Sequence, residues 1–137
     1  MILAACIDDR GGMLFHHRRQ SQDRLLRQDL LEEAAGRPVW MSAYSYKLFS
    51  PAPENVHTAE DFFSRALEGE WCFFEDVDPA PWLSKAEKVV LYRWNRIYPA
   101  DLYFPDLPEG WKVERREDFP GSSHEMISKE VLVRPER

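Results

Sequence analysis

The sequence predicts an α/β domain. Three observations carry this expectation. Short apolar runs at residues 1–8, 38–41, 71–74 and 88–92 lack the polar alternation of a half-solvated sheet, which is the pattern of strands covered on both faces. Segments of helical periodicity lie between them, so that strands and helices share one domain. Beyond residue 108 the pattern changes to apolar-polar alternation broken by two turns, the signature of strands with one face toward water.

In chain order, residues 1–8 form the first buried strand and Asp9-Arg10-Gly11-Gly12 a turn with two permissive glycines. A loop follows at 13–22. Ser21 or Asp23 caps a helix running to about Ala35, with Leu25, Leu26, Leu30, Leu31 and Ala34 at helical spacing and Gly36 ending it. Pro38 leads a second strand, and residues 42–49 continue into a helix. Thr58 caps a further helix through Leu67, with Phe62, Phe63, Ala66 and Leu67 as its apolar face. Trp71-Cys72-Phe73-Phe74 is a fully apolar strand that ends in Glu75-Asp76. Residues 79–86 form a short helix, and Val89-Val90-Leu91-Tyr92 a strand that continues into Arg93-Trp94-Asn95-Arg96 and stops at Pro99, which cannot extend a ladder. A short extended piece at 101–105, a half-buried strand at 111–115, a turn at 120–123 and a final alternating strand at 124–134 complete the chain. The apolar members of that last strand are Met126, Ile127, Val131 and Val133.

At 137 residues the chain has the size of one domain, able to bury roughly two-thirds of its unfolded surface. Its 44% hydrophobic and 31% charged residues are those of a soluble globular protein, and no apolar run approaches the roughly 20 residues of a membrane helix. A formal charge of −6 argues against broad nucleic-acid binding, which depends on neutralising many phosphates. Cys6 and Cys72 lie in apolar strands without Cys-x-x-Cys spacing and read as buried free thiols in a reducing cytoplasm. The first residues lack a basic leader, so the expected location is cytoplasmic.

Lys88-Val89-Val90-Leu91-Tyr92, Asp101-Leu102-Tyr103-Phe104-Pro105, Trp111-Lys112-Val113 and Glu130-Val131-Leu132-Val133-Arg134 follow one another in the order and spacing of segments that close the dihydrofolate reductase fold. On these segments, and on the first strand with its Gly12 turn, the chain resembles the dihydrofolate reductase family. The resemblance implies a three-layer sandwich with a mixed, mainly parallel sheet and an antiparallel C-terminal strand, spanning residues 1–137 as one domain. It implies a sheet shortened by about one strand, because Ser50-Pro51-Ala52-Pro53-Glu54 passes at once to residues 55–58 where the family has another strand and a long segment.

For the site, the resemblance implies that residues 13–22 cover the active site, with His16, His17, Arg18 and Arg19 in place of the family's Leu-Pro-Trp. It makes Asp23 the counterpart of the pterin-binding carboxylate and so the catalytic candidate, although it stands fifteen residues before Pro38 rather than about twelve. The threonine that partners that carboxylate has no counterpart; the nearest aligned residues are Tyr92 and Arg93. Where the family opens a helix on the NADPH phosphates with glycine, arginine and threonine, this chain has Ser42, Ala43 and Ser45. The family's double glycine, which admits the cofactor pyrophosphate, is replaced by Glu75-Asp76. Two carboxylates there repel a pyrophosphate by about 1 kcal/mol or more each when desolvated.

At the mouth of the expected sheet, Arg18, Arg19 and Asp23 face Tyr44, Ser45, Glu75, Asp76, Arg93, Asn95, Arg96 and His124. Ligands of open α/β sheets bind beyond the carboxyl ends of the strands, and this mixture suits a small anionic or zwitterionic, nucleotide-like ligand. The leading reading is a small-molecule-binding protein or divergent enzyme on this scaffold that does not use NADPH in the usual way. Its alternatives are a divergent NADPH-dependent reductase of a pterin or related ring, the one reading in which NADPH is the cofactor, and a non-catalytic protein-interaction module using Arg18, Arg19 and Trp94. As an enzyme it would be a divergent oxidoreductase of this class. His16, His17, His57 and His124 lack the spacing of metal-ligand motifs, so no metal site is expected. A missing strand leaves a sheet edge open to homodimer pairing.

Overall fold

The computed structural model describes residues 1–135, so the last two residues of the predicted charged tail and of the 1–137 domain lie outside the described residues. The elements are β1 (Ile2–Ile7), β2 (Gly12–Phe15), β3 (Arg18–Arg19), α1 (Arg24–Ala34), β4 (Val39–Met41), α2 (Ala43–Tyr46), β5 (Val56–Thr58), α3 (Phe62–Arg65), β6 (Trp71–Phe73), β7 (Lys88–Arg93), β8 (Leu102–Tyr103), β9 (Lys112–Phe119) and β10 (Ile127–Val133), with 3-10 helices at Lys47–Phe49 and Ala80–Lys85. Seven strands form the main sheet in the order β5-β4-β6-β1-β7-β10-β9. The five from β5 to β7 are mutually parallel, and β10 runs against both β7 and β9. The sheet is therefore mixed and mainly parallel, with the antiparallel C-terminal strand expected from the sequence.

Alternation along the strands divides the apolar side chains between two faces. Ile2, Ala4, Val39, Met41, Phe73, Val90 and Tyr92 meet Leu26, Leu30 and Ala34 of α1 on one face. Leu3, Ala5, Cys72, Phe74, Val89 and Leu91 meet Phe62, Phe63, Leu83 and the β2 residues Met13 and Leu14 on the other. Sheet and two coverings make three layers. Full burial of a leucine such as Leu30 stabilises the fold by about 1.5–3 kcal/mol, so α1 is held chiefly by this stripe. Its ends are those the sequence predicts: Asp23 caps it, and Ala35 turns left-handed at φ 50° before Gly36 at φ 82°.

Four elements differ from expectation. The helix expected between Thr58 and Leu67 is a single turn, α3, because Thr58 belongs to β5 opposite Met41, and Leu67 is exposed. The expected loop at 13–22 contains a hairpin, β2–β3, and β8 pairs with the other side of β2 to make a second, three-stranded sheet. The strand expected at 111–115 to be half-buried is longer and almost wholly exposed, since β9 is the sheet edge. Its mixed charges, and the three-residue length of β5 at the opposite edge, are features that discourage strand addition. In β10, Ser128, Lys129 and Glu130 are buried side by side, contrary to strict alternation.

Candidate functional site

The parallel strands end together, and the polar residues beyond them form three linked groups. The first is built on Asp8, fully buried just after β1. Its carboxylate accepts from the backbone N–H groups of Arg10 and Gly12, both at 2.8 Å, from Tyr98 N–H at 3.1 Å and from the Gln20 side-chain amide at 3.1 Å. Burial pushes this carboxyl up, but the N–H groups of Gly12, Tyr98 and Arg10 outweigh it and hold it below its ordinary value. One carboxylate thus fixes the turn, the end of the hairpin and the segment carrying Tyr98. Gly12 permits the closure, because a Cβ there would lie 2.5 Å from the Ala100 Cβ and 2.7 Å from Gln20 Nε2. At the hairpin tip His16 and His17 are both left-handed, at φ 49° and 61°, as a two-residue turn of this hand requires. Histidine pays a steric cost there that glycine would not, offset in part by the His16 N–H bond to Asp101 at 3.0 Å and by stacking of Phe15 on His16.

The second group joins Asp23 to His124. Asp23 has no side-chain exposure. Its Oδ1 accepts from the N–H groups of Leu25, Leu26 and Ser122 at 3.0, 3.1 and 3.0 Å, and its Oδ2 from the N–H and hydroxyl of Ser123 at 2.8 and 3.1 Å. Burial raises this carboxyl, yet the N–H groups of Ser122, Ser123 and Leu26 prevail and hold it well below the usual carboxylate range. The carboxylate also occupies the space that a Cβ on Gly121 would fill. His124 Nδ1 lies 3.0 Å from Ser123 Oγ and 3.4 Å from Asp23 Oδ2, its Nε2 lies 2.9 Å from the Tyr98 hydroxyl, and its ring stacks on buried Trp94 at 4.4 Å.

The third group surrounds Glu75, at the end of β6. Arg19 reaches it through Nε at 3.0 Å and Nη2 at 3.3 Å, and Ser45 Oγ donates to it at 2.8 Å. The Arg19 guanidinium lies over the Tyr44 ring at 4.2 Å, and the Arg19 N–H donates to the Tyr44 hydroxyl at 2.8 Å. Asp76 accepts from Ser42 Oγ at 3.3 Å. Glu75 is buried but fully engaged, which makes this group self-contained.

The structure therefore brings together Arg19, Tyr44, Ser45, Glu75 and Asp76, and separately Asp23 and His124. It does not bring Arg93, Asn95 or Arg96 to either group. Arg93 follows Leu91 on the face opposite Tyr92 and pairs with Glu130, Asn95 donates to Met126 O and Ser128 Oγ, and Arg96 is exposed. Arg18 is exposed and forms no ion pair among the described residues. Sequence reasoning missed Asp8, Gln20 and Tyr98, whose partners lie up to 90 residues away in sequence. It also missed Lys129, buried against Asp29, Glu33 and Glu117, with Tyr92 donating to Asp29 at 2.7 Å. Among the described residues no three His, Cys, Asp or Glu side chains gather as a metal ion requires, and no helix is long and apolar enough to cross a membrane.

Two spaces adjoin these groups. Beside Asp23, a cavity of about 10 Å³ is lined by Cys6, Leu26, Leu48, Phe73, Glu75 and Trp94 among others. Outside the hairpin, an open cleft of about 490 Å³ is lined by Phe15, His16, Arg18, Arg19, Gln20, Tyr98 and Pro99. Gln20 Oε1 is buried and has no partner among the described residues. Rotating the amide does not relieve it, because Nε2 faces two acceptors, Asp8 Oδ2 and the Pro99 carbonyl.

No protein-family model matches the sequence, and no curated protein matches it. Solved structures do. Dihydrofolate reductase from Enterococcus faecalis, complexed with NADP(H) and RAB-propyl, superposes with a TM-score of 0.69 over 98% of this chain and 96% of its own, at 9% identity. The fold is that of dihydrofolate reductase. At this identity the likeness concerns the dihydrofolate reductase scaffold, and the mixed, mainly parallel sheet with its antiparallel C-terminal strands agrees with the resemblance read from the sequence.

Proposed function

We propose that this protein binds a small anionic or zwitterionic, nucleotide-like molecule in the cleft between the β2–β3 hairpin and the Tyr98-Pro99 segment. The observation that carries this reading is the contrast between the two spaces: about 10 Å³ beside Asp23, against about 490 Å³ outside the hairpin. A pterin-sized ring needs a pocket of hundreds of Å³, so the smaller space admits none without rearrangement. Asp23 supports the same reading, since both its oxygens are occupied by protein donors. In the cleft, Arg18 and His16 supply groups for an anion, and Phe15 and Tyr98 supply aromatic surface.

The residues present do not fit the phosphates of NADPH. Glu75 and Asp76 stand where the family has its double glycine, and Ser42 and Ser45, at the head of the four-residue α2, are bonded to those acids. The role of the scaffold is ligand binding in the cytoplasm.

A thermal-shift titration with NADPH, nucleotides, nucleosides and pterins tests the reading. A ligand at a hundred times its dissociation constant stabilises the fold by about 2.7 kcal/mol. The expected result is stabilisation by an anionic nucleotide, reduced by at least tenfold in affinity in Arg18→Ala, and none by NADPH. Stabilisation by NADPH or a pterin that persists in Arg18→Ala would return the site to the interior and refute the proposal.

A further inference from the structure

Tyr98 joins the cleft to a buried chain of groups that ligand binding alone does not require. It lines the cleft and is half-buried. Its hydroxyl lies 2.9 Å from Nε2 of His124, whose side chain is only 2% exposed. The surrounding bonds assign the proton on His124. Ser123 Oγ lies 2.5 Å from the Gln22 carbonyl and 3.1 Å from Asp23 Oδ2, both acceptors, so its own proton is directed away from the imidazole. Ser123 Oγ and the Asp23 carboxylate therefore both present lone pairs to Nδ1, at 3.0 and 3.4 Å, and Nδ1 carries the hydrogen. In the neutral imidazole Nε2 is then the lone pair, and the Tyr98 hydroxyl donates to it. Stacking on Trp94 and the anchored Ser122–Ser123 turn hold the ring in this orientation.

This is the arrangement of an activated nucleophile: a hydroxyl, a neutral imidazole that accepts its proton, and a carboxylate that fixes the imidazole tautomer. The carboxylate is ionised, being held by backbone N–H groups, and stabilises the imidazolium formed when the proton moves. The three groups come from segments far apart in the chain, so local sequence does not force their alignment.

We propose that Tyr98 is a nucleophile with His124 as its base, acting on an activated ester whose other end is anionic and is held by Arg18 and His16. In this step the Tyr98 oxygen forms a bond to the acyl carbon, the bond from that carbon to the leaving oxygen breaks with its electron pair, and the phenol proton passes to His124 Nε2. The substrate class rests on the cleft being the ligand site. The reactivity of Tyr98 does not.

The test uses the intact chain and p-nitrophenyl acetate, a neutral activated ester. The expected result is a burst of about one equivalent of p-nitrophenolate, with one acetyl group found by peptide mass spectrometry on Tyr98 in preference to the other four tyrosines. Tyr98→Phe, which keeps the ring, abolishes the burst, and His124→Gln slows it at least tenfold while the circular dichroism spectrum stays that of the parent. Acetylation spread over lysines and all tyrosines, or a burst unchanged in Tyr98→Phe, overturns the proposal. So does an unchanged rate in a folded His124→Gln. If His124→Gln does not fold, the site of acetylation and Tyr98→Phe decide alone. Labelling of Tyr98 without any nucleotide shift removes the ligand reading and leaves the nucleophile, whereas a nucleotide shift without labelling does the reverse.

Discussion

Asp23→Asn keeps the side-chain volume and removes the charge from a carboxylate that receives five protein hydrogen bonds. The amide has one acceptor and one donor end, so it satisfies only one side. With its oxygen toward Leu25, Leu26 and Ser122, those three bonds survive as neutral ones, each weaker by about 0.5 kcal/mol. Its NH2 then faces the Ser123 N–H, at present 2.8 Å from Oδ2, and leaving that buried donor opposed costs about 2 kcal/mol more. The expected loss is about 3.5 kcal/mol, a large part of the 5–15 kcal/mol by which domains of this size are stable. Loss of a helix cap alone costs about 1 kcal/mol. Urea unfolding of parent and variant at pH 7, followed by tryptophan fluorescence, separates the two magnitudes provided the slope m is unchanged. A loss near 1 kcal/mol would show that Asp23 serves only α1, and that its ties to the Ser122–Ser123 turn carry no energy. It would also free the carboxylate for a ligand and weaken the case for the outer cleft.

Three further outcomes are expected. Lys129→Met removes the cation bonded to Asp29 and one of the two bonded to Glu33, which keeps Arg115 at 2.8 Å, and destabilises the fold by about 2–3 kcal/mol, measured by the same urea titration; an effect below about 1 kcal/mol would place Lys129 among weak surface pairs. Asp8, Asp23, Glu33 and Glu87 all have carboxyls held below their ordinary values in the folded state, so the unfolded chain binds protons first as pH falls. Their contribution is complete above the unfolded values of about 4 and is lost as pH falls below them; thermal unfolding should therefore be nearly constant from about pH 5 to 7 and fall steeply below about pH 4, and a flat profile to pH 2 would contradict the assignment. Burial pushes the Cys6 thiol up, with the charges of Glu75 and Asp23 adding to it, and burial pushes Cys72 up to about 12. A disulfide reagent at pH 8 should thus label neither cysteine until urea unfolds the chain, and labelling of native protein at the rate of a free thiol would refute this.

The strands and helices were legible because they follow from local periodicity, and the layers and strand directions came from the family resemblance. Continuous apolar runs in β1, β6 and β7 require cover on both faces, and the 3.6-residue stripe of Leu26, Leu30 and Ala34 supplies one such cover. The Asp23 cap and the Ala35-Gly36 stop are likewise decided within a few residues. The short α3 was not legible, since Thr58 is drawn into pairing with Met41 by a strand seventeen residues earlier. Nor was the exposure of β9, because half-burial by alternation presumes a covered face and this strand, at the sheet edge, is exposed along all but its last residue.

The site divides in the same way. The family resemblance singled out Asp23, His124, Arg19, Tyr44, Ser45, Glu75 and Asp76 as polar candidates, with Glu75-Asp76 aligned where the scaffold has its double glycine. Only the tertiary structure decided which of them meet, that Arg93 turns to the opposite face, and that the space beside Asp23 is nearly filled while a cleft opens outside the hairpin. The reason is physical. Periodicity and capping are set by neighbours along the chain, whereas the bonds that join Asp8 to Tyr98 and Asp23 to Ser123 span 90 and 100 residues and exist only once the sheet has brought their segments together.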